Sequence, residues 1–198
     1  MPAAQSGTVS LVPGFFSAMA GSDPYRGADE ILRKKAASIV GAARALKLTL
    51  VTVESCTAGR IAATLADAPN ASEVVHGGFV TCTDACKEAL GVPASTIRRY
   101  TPVSEEVARE MAAAALNHSP ADIVVAVTGA VGPAKDDDKS PAGLMYFAAA
   151  RRGKPVKVMK KEFGKLDRDS MLFNTIEEAL DLLDHVIEPE QAISAKTG

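Results

Sequence analysis

Ser55 and Cys56 stand in the stretch Val51-Thr52-Val53-Glu54-Ser55-Cys56-Thr57-Ala58-Gly59-Arg60. An apolar, β-branched run there gives way to small and polar residues. A hydroxyl at the end of a buried strand can attack a carbonyl carbon, provided that a base takes its proton. None of the three histidines is suited to be that base. His118 and His185 fall on helical surface positions, and His76 reads as a strand-edge residue beside Gly77-Gly78. Lys87 offers an amine instead. An amine is a base at neutral pH only where burial or neighbouring positive charge lowers its pKa from about 10.4. Taken alone, a lysine on a short helix is a solvated charge. Taken alone too, Ser55 or Thr57 is an N-cap for the helix that follows. If that helix begins at Cys56, its unpaired amides and dipole favour an anion or a developing oxyanion at the same spot.

The elements that must position these groups follow from periodicity. Leu48–Val53 reads as a buried strand, followed by a helix from about Cys56 to Ala68 that Pro69 ends. Before them, Ile31, Leu32, Ala36, Ile39, Ala43 and Leu46 form one apolar helical stripe. Val74–Thr81 reads as a second strand, with a bulge or a close backbone approach at Gly77-Gly78. Thr83–Leu90 is a short helix ending at Gly91. Ser104 caps a helix carrying Glu105 and Glu106 in its first turn and burying Val107, Met111 and Ala115. Ile123–Val127 is continuously apolar, as in a central strand covered on both faces. A glycine-rich, then charged loop spans residues 129–140. Leu144–Ala150 and Val156–Phe163 form a hairpin, and the last helix runs from about Asp167 to Ile187 with Leu172, Ile176, Leu180, Leu183 and Ile187 inward. The pattern predicts a three-layer α/β/α domain over residues 28–188 with a mixed, mostly parallel sheet. Residues 1–27 read as a mobile arm and 189–198 as a tail.

Several stretches together resemble the CinA C-terminal domain family. They are Glu54-Ser55-Cys56-Thr57-Ala58-Gly59, Gly77-Gly78-Phe79-Val80-Thr81 with Lys87, and Val103-Ser104-Glu105-Glu106-Val107-Ala108 with Met111. Further along come Val127-Thr128-Gly129-Ala130-Val131-Gly132-Pro133, Pro141-Ala142-Gly143 with Tyr146, and Phe163-Gly164 with Asp167-Arg168. The resemblance runs from about Ile31 to Ile187 and suggests the standalone form of the family. It implies an amidohydrolase that converts nicotinamide mononucleotide to the acid nucleotide and ammonia, with no metal and no cofactor. Ser55 is then the nucleophile and Lys87 its base, a Ser–Lys variant of the hydrolytic triad. The backbone around Cys56 and Thr57 holds the oxyanion, with the Thr57 hydroxyl as an added donor. Glu54, Cys56, Gly59, Cys82, Asp84, Thr128, Gly129 and Gly132 are implied around the substrate. Arg168 either faces its phosphate or lies on the surface.

The chain also departs from the family pattern. Cys82 stands where a tyrosine is usual, Asp84 replaces an asparagine, Ala58 a glycine, and Leu172 an arginine. Cys82 removes a ring that could stack on a base. Asp84 adds a negative charge that would hold Lys87 protonated and repel a phosphate. Two alternatives therefore stay open beside the amidohydrolase: a non-catalytic relative that binds a nucleotide or a partner, and a hydrolase of another small amide.

Composition sets outer limits. With 22 basic and 24 acidic residues and a net charge of −2, nothing in the balance points to nucleic acid or an anionic membrane. The 198 residues suit one domain, and with no tryptophan the core must be built from Val, Ile, Leu and Ala. Three cysteines without zinc-like spacing suit a reduced, cytoplasmic setting. No apolar run reaches the roughly 20 residues of a membrane span, and no basic region precedes the mildly apolar 11–16 stretch to make it a signal peptide. The expected partners are a small-molecule nucleotide and further copies of the chain in a homo-oligomer.

Overall fold

The computed structural model describes residues 26–131 and 140–187, so the expectations for the N-terminal arm before Arg26, for Gly132 and for the tail lie outside the described residues. Helix α1 (Arg26–Ala45) comes first, then strand β1 (Leu50–Glu54), helix α2 (Arg60–Ala66), a 3-10 turn at Ala71–Glu73 and strand β2 (Val75–Val80). Helices α3 (Asp84–Leu90), α4 (Ala94–Tyr100) and α5 (Glu105–Asn117) lead to strands β3 (Ile123–Gly129), β4 (Leu144–Arg151) and β5 (Lys157–Glu162), and helix α6 (Arg168–Ile187) follows.

The strands form one sheet in the order β2-β1-β3-β4-β5. β1 pairs in parallel with both β2 and β3, and β4 pairs antiparallel with β3 and β5. Four strands therefore point one way and β4 alone runs back. β3 lies at the centre, and its residues 123–128 are all buried, as a continuously apolar strand requires. Its two faces feed separate cores. Val125 and Val127 pack with α1 and α6, through Ile39, Ala43, Leu180 and Leu183, while Val124 and Ala126 pack with α5, through Met111 and Ala115. The architecture is thus three layers, α/β/α.

Local chemistry explains the element ends. Ser104 Oγ accepts the Val107 N–H at 3.3 Å and starts α5. The β1–β2 register slips between Leu50 and Val51, which face Val75 and Gly77, so His76 bulges out on the exposed side. A Cβ at Gly78 would sit 2.6 Å from Thr52 Oγ1 and 3.0 Å from Ala62 Cβ, so the close backbone approach is real. The first helix departs a little from its expected stripe. Leu32, Ala36, Ile39, Val40 and Ala43 face the core, but Ile31 lies to one side of that face and Leu46 falls beyond the helix end, and both are exposed. The edges of the sheet differ: β2, Val-His-Gly-Gly-Phe-Val, carries neither lysine nor proline, whereas β5 exposes Lys157 and Lys160. Among the described residues, no helix is long and apolar enough to cross a membrane.

Candidate active site

Ser55 leaves the C-terminal end of β1, where its N–H donates to the Val127 carbonyl at 3.0 Å and extends the pairing with β3 by one residue. Its own carbonyl accepts the Ala58 N–H at 3.3 Å, closing a turn. Ala58 and Gly59 then take left-handed conformations, with φ of 51° and 90°. The helix expected from Cys56 consequently starts at Arg60 and has only seven residues.

Neither Ser55 nor Thr57 caps it. Glu54, the last residue of β1, does so from inside the protein. One carboxylate oxygen accepts Thr52 Oγ1 at 3.0 Å and the Ala62 N–H at 2.8 Å. The other accepts Thr57 Oγ1 at 2.7 Å and the N–H groups of Gly59 and Ile61 at 2.9 and 3.1 Å. The leading amides of α2 thus hold the protein's own anion, and the helix end expected to favour an external one is filled. Thr57 is fully buried with its hydroxyl directed to Glu54, so it does not face a ligand as the expected extra oxyanion donor.

Lys87 arrives from the neighbouring strand. β2 ends beside Glu54, Thr83 Oγ1 accepts the Cys86 N–H to start α3, and the last turn of that helix carries Lys87 inward. The side chain is 2% exposed. Its Nζ lies 2.9 Å from the Thr81 carbonyl and 3.1 Å from Ser55 Oγ. Ser55 itself is half-buried, so the pair meets where the interior opens to solvent. Burial pushes the Lys87 amine below its ordinary value, against the opposing charge of Asp84 and, after it, the thiols of Cys56, Cys82 and Cys86. A hydroxyl and an amine within hydrogen-bond reach, with the amine turned toward its neutral form, have the geometry that acyl transfer by a nucleophile and a base requires.

The family model of the CinA C-terminal domain matches residues 32–187. The chain belongs to this family. It is 46% identical over 107 residues to a CinA-like protein of Akkermansia muciniphila, an alignment covering 54% of this chain and 26% of that one. It is 43% identical over 103 residues to protein YdeJ of Escherichia coli, covering 52% and 60%. The chain therefore matches only part of each of these relatives. Among solved structures, the competence/damage inducible protein CihA from Agrobacterium tumefaciens superposes with a TM-score of 0.76 at 34% identity, over 79% of this chain and 96% of that one. A CinA superfamily protein from Escherichia coli gives 0.73 at 34% identity, over 77% and 88%.

In this CinA domain the remaining predicted site residues separate into those near the pair and those committed elsewhere. Cys82 is exposed, and its Sγ lies 3.4 Å from the Ser55 carbonyl. Asp84 is exposed on the first turn of α3, one turn before Lys87. Cys56 is partly buried with its Sγ 3.9 Å from Met145 Sδ. Burial and the Glu54 charge push its thiol up to about 12, despite the opposing pull of its own amide, Lys87 and the Thr57 amide.

Three further positions serve packing. Thr128 is buried and donates to the Pro102 carbonyl at 2.8 Å. Gly129 makes room for Met145, whose Sδ would lie 2.0 Å from an added Cβ. Gly59 takes the left-handed step into α2, and a Cβ added there would stand 3.5 Å from Val80 Cγ2. Arg168 is exposed at the start of α6 and reaches no partner among the described residues. Leu172, where arginine is usual, packs in the core at 5% exposure.

Sequence reasoning misses the role of Thr81, whose carbonyl holds the Lys87 amine, and the capping role of Glu54. A signal for the second is present: Thr52 and Glu54 share one face of an otherwise apolar strand, and Thr57 follows three residues on, which marks a buried polar network. A shallow apolar groove of about 440 Å³ lies between α2 and β2, lined by Ala62, Ala66, Val75 and Gly78 among others; it touches neither Ser55 nor Lys87. Among the described residues, no group of three or more His, Cys, Asp or Glu converges closely enough to hold a metal ion.

Proposed function

We propose that this CinA domain is an amidohydrolase that deamidates nicotinamide mononucleotide through Ser55 and Lys87. The observation that carries the reading is the buried Lys87 amine 3.1 Å from Ser55 Oγ. Neutral Lys87 takes the hydroxyl proton as Oγ attacks the carboxamide carbon, and the backbone amides at Cys56 and Thr57 are the donors assigned to the oxyanion. Lys87 then gives the proton to the departing nitrogen, which leaves as ammonia. Water attacks the acyl-enzyme, Lys87 takes the water proton, and Ser55 recovers it as nicotinate mononucleotide departs. No metal or organic cofactor enters. The reading also takes the chain to work as a homo-oligomer in a reducing cytoplasm, where its three free cysteines are stable.

A second reading is favoured by one observation. The Asp84 charge opposes the lowering of Lys87, and a lysine kept protonated would make the domain a nucleotide binder without turnover. A third is that Cys82, in place of a ring, admits a different small amide. Ammonia release from nicotinamide mononucleotide separates the three. The expected result is turnover that falls about a hundredfold or more in Ser55→Ala. Binding without turnover supports the second reading, and turnover of another amide alone supports the third.

A further inference from the structure

We propose that Glu54 is a positioning residue, holding Ser55 and Lys87 in register while its carboxylate touches no ligand. The inference rests on the Ser–Lys reading. Glu54 reaches the two partners by separate routes. Its side chain fixes the turn that carries the nucleophile, through Thr57 Oγ1 and the amides of Gly59, Ile61 and Ala62. Its main-chain carbonyl accepts the Thr81 N–H at 2.7 Å and Thr81 Oγ1 at 3.3 Å. The carbonyl of Thr81 in turn accepts Lys87 Nζ at 2.9 Å. One residue thus couples the end of β1 to the segment that presents the base.

A carboxylate has about four lone-pair sites, and five donors occupy this one, which is 0% exposed. Nothing is left for a substrate, so the ligand contact that the resemblance implies for Glu54 is replaced by an internal one. A helix cap alone explains less. What the buried glutamate adds is a tie between a strand end, a turn and a helix start, on either side of the nucleophile.

The test uses a fluorophosphonate, whose phosphorus an activated serine oxygen attacks with loss of fluoride, and follows labelling of Ser55 against pH in the full chain, with melting temperature measured alongside. Glu54→Gln places an NH₂ among N–H and O–H donors, and Thr57→Val removes one 2.7 Å bond with little change of shape. Misplacement by about 1 Å can cost on the order of a hundredfold, so labelling should slow at least tenfold in Glu54→Gln and severalfold in Thr57→Val, with a displaced pH midpoint in both. If both label like the parent, with the same midpoint, and only the melting temperature falls, Glu54 is a cap and the inference is overturned. Should Glu54→Gln not fold, Thr57→Val decides by the same criterion. Lys87→Met separates the two levels: if it also labels like the parent, the Ser–Lys reading itself has failed. If it is slow while the Glu54 and Thr57 variants are not, only the positioning role has failed.

Discussion

Replacing Lys87 with methionine keeps the length of a 2% exposed side chain and removes its titrating group, so it tests base chemistry and buried charge together. Loss of a general base should lower ammonia release by about 10²–10⁴. The stability effect depends on pH in a direction that the burial dictates. The folded chain holds the Lys87 amine below its ordinary 10.5, whereas the unfolded chain keeps the proton up to that value. Between the folded value and 10.5 the unfolded state binds more protons, so the parent gains stability as pH rises through that window, by at most about 1.4 kcal/mol per pH unit. Below the folded value both states are protonated and the full penalty of burying the ammonium remains. Lys87→Met has no such dependence. Relative to the parent it should be most stable at low pH and lose that advantage toward pH 10.5. On a domain of this size 1 kcal/mol moves the melting temperature by roughly 2–4 °C, so scanning calorimetry from pH 6 to 10 resolves the slope. Asp84→Asn, which removes the charge opposing the lowering, should extend the window to lower pH. Parallel melting curves for parent and Lys87→Met at every pH would refute the reasoning, because they would mean that Lys87 titrates alike in both states.

The other two predictions concern the turn and the thiols. Ala58 sits at φ 51°, which costs an L-residue roughly 1–2 kcal/mol, while glycine loses about 0.4–1 kcal/mol through the freer unfolded chain. Ala58→Gly should therefore raise stability by about 0.5 kcal/mol or slightly more, and a lower melting temperature would show that the turn is not strained. Iodoacetamide on the native protein, read by peptide mass spectrometry, should modify the exposed Cys82 and Cys86 and leave Cys56, pushed up to about 12, until unfolding. Faster labelling of Cys56 than of Cys82 in the folded state would mean that the two environments are reversed.

What can be read from the sequence follows the range of the interactions involved. The central β3, the capped α5 and the five inward positions of α6 are legible because burial on one or both faces imposes a period on a single segment. Helix α4 is not; it buries only Ile97 in seven residues, too little to leave a stripe. Sequence places the start of α2 four residues early because small polar residues suit a helix start and a turn equally. Glu54 decides between them from the strand before, a contact that no local pattern records. Ser55 and Lys87 can each be named from a resemblance, but nothing in the residues themselves joins them. Their 3.1 Å approach follows from β1 and β2 running parallel, which brings the ends of two strands to the same side of the sheet. The glycines divide in the same way. Gly129 looks like part of a ligand loop on paper, yet an added Cβ would meet Met145, whereas the close approach expected at Gly78 is to Thr52 and the one at Gly143 is to the Gly164 carbonyl.

The unequal edges of the sheet bear on how copies of the chain can associate. A strand edge left open is a template for another strand, and lysines along it are a recurrent means of refusal. Here β5 presents Lys157 and Lys160, while β2 presents no lysine and no proline. Addition at β2 by a second copy's β2 is a twofold contact, which consumes the open edge of both and stops at two. Endless growth would need each copy to offer β2 on one side and β5 on the other, and β5 is charged against it. Among the described residues the edge without lysine thus lies on one side of the sheet, and of the ways in which two edges could meet, a twofold β2–β2 contact is the one that keeps the β5 lysines out of the join.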